Sequence, residues 1–409
     1  MSGARAAGER FRALFGREAE GTWSSPGRVN LIGEFTDYND GFVLPTSLPL
    51  AAHATVAARD DGLLRVASTA QGLGAADADS ATAGPPAARA VPVVESPLGS
   101  LVPRSVRGWP AYVLGVVWAL AEAGHAVGGA DVLVSSEVPI GAGLSSSAAL
   151  ECAVGLALDG LYGLGVGREQ LALTCQRAEN DFVGVPCGIL DQMASLLCVP
   201  DHALLLDTRT LETRQVPFAL RASGLALLVV DTRVRHDHAD SGYADRRNAC
   251  GRAAAALGLR ALRDLDPAEL DSSARRLGDP VLFRRVRHVV TENQRVLEVA
   301  QLLEQGRVAA IGPVLSAGHA SVRDDFEASC AELDAAVAAA ESAGALGARM
   351  IGGGFGGSAM VLVDSGRTDE VVAAVGEAFA RDGYGVPRVI LAAPGRGEEL
   401  DLTGSAASR

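Results

Sequence analysis

The chain has 409 residues, 48% hydrophobic and 21% charged, with a formal charge of −13. That length accommodates two domains with sizeable cores, and the acidic balance argues against a nucleic-acid binder. There is no lysine, all 36 basic residues being arginine, which excludes a Walker A loop, the protein-kinase strand lysine, and Schiff-base or pyridoxal chemistry.

Residues 4–16 pattern as a short amphipathic helix, without the apolar core of a secretory signal. A turn-rich stretch from Gly21 to Gly27 leads into Arg28-Val29-Asn30-Leu31-Ile32-Gly33, and a strand-like run follows over 42–58. Residues 71–90, rich in Ala, Gly, Asp and Pro, read as a surface loop. A helix is predicted over 109–124, too short an apolar run to span a membrane. The strand Ala130 to Ser136 then runs through Pro139-Ile140-Gly141-Ala142-Gly143-Leu144-Ser145-Ser146-Ser147 into a helix from Ala148 to about Leu161. In the second half a buried strand is predicted from Leu225 to Val230. A long helix over 280–304 places Leu282, Val286, Val289, Val296, Val299 and Leu303 at 3–4 spacing. Helices over 306–316, 325–343 and 368–382 and strands over 358–363 and 387–392 complete the pattern. It predicts an α+β chain of two layered domains, 1–210 and 211–409, divided near 205–215. The six cysteines form no CxxC pair and read as reduced thiols, so a cytoplasmic compartment is expected, with no membrane partner.

The strongest local signal is Gly141, Ala142, Gly143, Leu144, Ser145, Ser146 and Ser147. Small residues let backbone approach a phosphate, and the following helix start offers free N–H groups and partial positive charge. The same stretch reads equally as a strand-to-helix turn with serine caps. A dinucleotide fingerprint would need glycine where Ser146 stands. Gly352-Gly353-Gly354-Phe355-Gly356-Gly357 matches GxGxxG but leads into a strand, Ser358 to Val363, which fits a strand-loop-strand turn closing over something.

Glu34, Asp37 and Asp40 put three carboxylates into seven positions just after a turn, suited to neighbouring sugar hydroxyls and equally to a polar turn. Asp191 has apolar flanks, which implies partial burial and a partner, with Arg28 the candidate; a structural ion pair fits the same facts. Glu179, twelve positions earlier on the helical stretch Leu171 to Asp181, offers an oxygen ligand of the kind Mg²⁺ takes, or is a solvated helix residue. His236 and His238 form an HxH without a third ligand nearby and make a weak metal signal.

Five ordered segments resemble the GHMP family of small-molecule kinases and, within it, the galactokinases. They are Gly27-Arg28-Val29-Asn30-Leu31-Ile32-Gly33-Glu34 with Thr36-Asp37-Tyr38-Asn39-Asp40-Gly41; Gly141 to Ala148; Cys187-Gly188-Ile189-Leu190-Asp191-Gln192; Val234-Arg235-His236 with Tyr243; and Arg349 to Gly357. The resemblance implies a ribosomal-S5-like N-terminal domain and a ferredoxin-like C-terminal domain. The implied activity is transfer of the γ-phosphoryl of ATP to the C1 hydroxyl of galactose by a monomer or weak homo-oligomer. Glu34, Phe35, Thr36, Asp37, Gly188 and Tyr243 would line the sugar, residues 141–147 would wrap the ATP phosphates, and Ser147 and Glu179 would hold Mg²⁺. Asp191 would face the C1 hydroxyl, with Arg28 beside it stabilising the transferring charge. Galactokinases commonly carry His where this chain has Phe35, so one sugar hydroxyl, that at C6, is expected to lose a partner. The rival readings are a kinase for N-acetylgalactosamine or L-arabinose, a non-catalytic sugar sensor, which the retained Ser147-Ala148 disfavours, and a Rossmann oxidoreductase, which the helix context disfavours.

Overall fold

The computed structural model describes residues 2–69, 91–235, 239–392 and 398–400. The loop expected over 71–90 and the pair His236 and His238 lie outside the described residues. The chain divides into two compact units, both discontinuous in sequence. Met1–Gly27, Leu50–Ile140 and Ser145–Leu197 form the first, and Arg28–Pro49, Gly141–Leu144 and Cys198–Arg409 the second.

The first unit carries a five-stranded sheet in the order Gly21–Asn30, Pro45–Arg59, Gly129–Ser136, Leu63–Ser68 and Val93–Pro97. Leu63–Ser68 runs parallel to Gly129–Ser136, and Pro45–Arg59 runs antiparallel to it. Side chains alternate across the sheet. Leu133, Ala57 and Ala67 pack against Phe11 and Phe15 of the helix Ser2–Phe15. Asp131, two positions from Leu133 on the same face, is fully buried and held by Arg65 at 2.6 Å and Arg59 at 3.1 Å. The helices Trp109–Glu122, Ser146–Tyr162, Arg168–Arg177 and Leu190–Leu197 pack on one another. Gly21–Asn30 is a strand where only turn residues were legible; its glycines and Pro26 are tolerated because it lies at the edge of the sheet.

The second unit is built on a sheet ordered Gly347–Ile351, Gly356–Asp364, Leu225–Arg235, Arg388–Leu391 and Glu398–Leu400, antiparallel throughout. Its first four strands, with the helices Ala331–Ser342 and Thr368–Asp382, give the split βαββαβ order of a ferredoxin-like domain, as the resemblance implied. A smaller sheet joins Phe42–Val43, His202–Asp207 and Thr213–Pro217. The long helix Pro280–Glu304 starts where expected, because Asp279 accepts hydrogen bonds from the N–H groups of Val281 and Leu282 and Pro280 opens the first turn. Val286, Val289, Val296, Val299 and Leu303 form its buried stripe.

The helix expected over 325–343 is shorter. Gly312–Ser321 widens into a π turn at Val322–Phe326, Glu327 takes a positive φ of 53° that stops it, and the next helix begins at Ala331. The helix expected over 306–316 likewise starts only at Gly312, after the turn Val308–Ile311. Gly312 is required there, since a Cβ would stand 2.1 Å from the Leu346 carbonyl oxygen. All six cysteines are free thiols. Among the described residues no helix is long and apolar enough to cross a membrane.

Candidate active site

In the second unit the chain bends sharply after Asn30. Gly33 takes φ 104°, and a Cβ there would meet the Phe42 carbonyl oxygen at 2.7 Å, so only glycine fits. The bend delivers Glu34 into a buried charge network. Its carboxylate pairs with Arg349 at 2.5 Å, and Arg349, fully enclosed on the strand Gly347–Ile351, also pairs with Glu292 at 2.9 Å. Burial pushes the Glu34 carboxyl up to about 7, against the opposing pull of Arg349. Burial also acts to raise Glu292, but Arg349 and Arg295 outweigh it and hold that carboxyl below the usual range.

Phe35 follows with φ 65° and is 4% exposed. Its ring stacks on Phe326 at 4.5 Å, with His288 and Tyr243 at 6.1 and 6.2 Å. Thr36 is fully buried, and its hydroxyl faces the carbonyls of Gly33 and Phe42 at 2.8 and 2.7 Å. Asp37 opens a short turn and is half-buried, as is Tyr243 on the helix Ala239–Leu257.

The phosphate-type loop is held by this same unit through residues 141–144. Arg28 donates from Nη1 to the Gly143 carbonyl at 2.6 Å and from its backbone N–H to Leu144 at 3.2 Å. Ser358 donates its hydroxyl to Ala142. The glycine-rich turn between Ile351 and Gly356 closes over this loop: a Cβ at Gly143 would stand 3.2 Å from the Ile351 carbonyl oxygen, and one at Gly352 would stand 3.1 Å from Gly143. That explains why the GxGxxG match sits between two strands. Gly141, Gly143 and Ser145 take positive φ whereas Ala142 and Leu144 do not, an alternation of the kind found in anion-binding backbone turns.

In the first unit, Ser145 precedes the helix Ser146–Tyr162, and its hydroxyl is buried without a protein partner. An orphaned hydroxyl at a helix start fits a phosphate ligand. Ser147 reaches Glu179, which lies not on a regular helix as expected but in the π turn Ala178–Val183 that extends Arg168–Arg177. Such turns re-aim side chains and recur at functional sites. Glu179 is 5% exposed; it accepts from Gln192 Nε2 at 2.8 Å and from the Cys187 thiol at 3.4 Å. Burial, and then the charge of Asp191, raise its pKa. Asp191 lies half-buried in the first turn of Leu190–Leu197, with Gly188 just before it. Ser147 and Glu179 therefore form an oxygen donor set with no cation among Glu179's hydrogen-bond partners, a fit for a hard cation that keeps most of its ligands as water and phosphate. Among the described residues no cluster of three or more His, Cys, Asp or Glu could hold a metal.

Family profiles match in the same order as these features. The galactokinase galactose-binding signature covers residues 9–58, the GHMP kinases N terminal domain 111–198, and the GHMP kinases C terminal domain 299–381. The chain is 55% identical to a galactokinase of Streptomyces coelicolor over 95% of its own length and 96% of that protein's. It is 44% identical to a galactokinase of Mycobacterium tuberculosis over 92% and 99%. The chain belongs to the galactokinase family of GHMP kinases. A Lactococcus lactis galactokinase solved with galactose superposes with a TM-score of 0.85 at 33% identity, covering 97% of this chain and 99% of that one. A mevalonate kinase at 14% identity and a TM-score of 0.63 shares the fold. As a member of this family the chain is an ATP-dependent sugar kinase.

Two features of this galactokinase-family site were not legible beforehand: Glu292 and His288, and the role of Arg349 as the common partner of Glu292 and Glu34. A signal existed. Glu292 lies on the apolar stripe of its helix, three residues after Val289 and four before Val296, where a carboxylate must be buried and paired. The glycine contacts also predict an effect. Gly143→Ala forces a side chain onto φ 73° and against Ile351, so we expect KM for ATP to rise about tenfold with KM for sugar nearly unchanged. Steady-state kinetics with each substrate varied in turn checks this; an equal rise in both constants would contradict a specific phosphate role for the loop.

Proposed function

We propose that the chain moves the γ-phosphoryl of ATP onto the C1 hydroxyl of galactose, with Asp191 facing that hydroxyl and Arg28 stabilising the transferring charge. The observation that carries this reading is the bond from Arg28 to Gly143. It ties the arginine of the sugar signature to the phosphate loop and keeps a permanent cation beside it. Phosphoryl transfer asks the protein for positioning and charge stabilisation more than for covalent chemistry. Residues 141–147 would cradle the phosphates with backbone N–H groups and serine hydroxyls. Glu34, Asp37, Gly188 and Tyr243 would hold the sugar, and Asp191 would take or orient the C1 proton. Ser147 and Glu179 would hold Mg²⁺, which supplies neutralisation of phosphate charge when bound. Phe35 and Thr36 support the sugar side indirectly, since the ring stacks on Phe326 and the Thr36 hydroxyl faces backbone carbonyls.

A coupled ADP-release assay with Mg²⁺ over a sugar panel tests the reading. Turnover should be greatest with galactose. Preference for N-acetylgalactosamine or L-arabinose would overturn the substrate, and no ADP release with any sugar would overturn catalysis. The same assay addresses Phe35, which cannot hydrogen-bond. Because the Phe35 ring is packed against Phe326 inside the core, Phe35→His should leave the kcat/KM preference for galactose over 6-deoxygalactose within about twofold of wild type. A rise of about fivefold, the worth of one ordinary hydrogen bond, would return this position to the C6 hydroxyl.

A further inference from the structure

We propose that Glu292 is a positioning residue for sugar binding: it holds Glu34 from behind, by its backbone and by its side chain together. The inference rests on the reading of Glu34 as a sugar-binding carboxylate. Glu292 is fully enclosed on the helix Pro280–Glu304. Its Oε1 accepts from the backbone N–H of Gly33 at 2.9 Å, the residue immediately before Glu34, and pairs with Arg349 at 2.9 Å. Arg349 in turn grips the Glu34 carboxylate at 2.5 Å. Oε2 of Glu292 accepts from Arg295 Nε at 2.7 Å. One turn earlier on the same helix, His288 lies 3.1 Å by Nε2 from the Glu34 carbonyl. A carbonyl only accepts, so Nε2 carries the proton and Nδ1 accepts from the Ser321 hydroxyl at 2.9 Å. A single helix thus fixes the Ile32–Gly33 and Glu34–Phe35 peptides, one on each side of the Gly33–Glu34 pair, and, through Arg349, the carboxylate itself. The Phe42 backbone N–H donates to Asn293 at 2.8 Å, which ties the other side of the turn to that helix.

The arrangement also governs when Glu34 is charged. The groups acting on it are Arg349 from the strand, Glu292 from the helix, Arg28 and the Asn30 side chain from its own segment, and the His288 ring at its carbonyl. Burial holds His288 down at about 4, so it is neutral above pH 5. Glu292 stays ionised and adds one negative charge that keeps the Glu34 proton on. An ionised Glu34 accepts hydrogen bonds from sugar hydroxyls, whereas the neutral acid loses that capacity at one oxygen.

Calorimetric titration of the full chain with galactose alone, from pH 5.5 to 8.5, separates positioning from a merely structural role. Wild type should bind more tightly as pH rises through about 7. Glu292→Gln removes the negative neighbour, so the midpoint should move to lower pH. Affinity at pH 8 should fall about tenfold as the grip on Arg349 loosens, with kcat at saturating galactose within about twofold of wild type. Arg295→Gln, whose ionic contact is with Glu292, should move the midpoint the opposite way, and it carries the test if Glu292→Gln does not fold. Glu292→Asp should restore part of the affinity. Unmoved midpoints in both Gln variants, while Glu34→Gln abolishes the pH dependence, would overturn the positioning role and leave the Glu34 reading standing. Unchanged affinity and pH dependence in Glu34→Gln would overturn that reading itself.

Discussion

Asp191→Asn should lower kcat by about 10²- to 10⁴-fold, the range over which a positioned proton acceptor contributes, while ATP binding persists. The substitution conserves size at a half-buried position in the first turn of Leu190–Leu197, so packing is unaffected and the change isolates charge and basicity. Removing the negative charge also relieves Glu179, whose pKa Asp191 helps to raise. Binding of the nucleotide should therefore be retained or slightly strengthened. The measurements are kcat from coupled ADP release and ATP affinity from equilibrium dialysis. Turnover within a few-fold of wild type would remove Asp191 from the reaction. A parallel loss of ATP binding would move its role to the nucleotide.

Arg349→Met should cost about 3–5 kcal/mol of stability, because it leaves two buried carboxylates without their shared cation. Arg349 is fully enclosed between Glu34 and Glu292, and Gly318 packs so closely that a Cβ there would stand 2.9 Å from Nη1. Glu292 retains Arg295, so Glu34 takes most of the loss. The deficit should shrink in acid. Glu34 already has a folded pKa of about 7 against an ordinary value of 4.5, so the folded state holds a proton that the unfolded chain releases. Its contribution is favourable below about 4.5 and is lost as pH rises through 7. Without Arg349 that folded pKa rises further. The guanidinium midpoint of the variant should therefore lie nearer wild type at pH 5 than at pH 8. An equal difference at both pH values would show that the network does not set the charge of Glu34.

The helix 280–304 was legible from its local period and the strand after the glycine-rich turn from its apolar run, whereas no bounds were read for the strand Gly347–Ile351 before that turn. The strand Gly21–Asn30 was not legible, since it owes its state to its neighbour in the sheet rather than to its own glycines and proline. The same distinction divides the site. Glu34 and Asp37 read as ligands or as a turn, and only their surroundings separate them: Glu34 is enclosed and ion-paired, whereas Asp37 is half-buried. Phe35 read as a lining residue, yet its ring belongs to the aromatic packing around Phe326.

By itself the sequence determined the chemistry. A chain without lysine, with a glycine-serine turn opening a helix, an arginine-bearing sugar signature and an aspartate in an apolar frame, must meet phosphate with backbone amides, hydroxyls, arginine or a bound cation. Those signals are short-range and survive in the order of residues. The tertiary structure decided which charges are buried and which partners they share. Glu292 meets the Gly33 amide across 259 positions and His288 meets Glu34 across 254. The state of a buried carboxylate depends on burial and on partners brought from that distance, which no local pattern encodes.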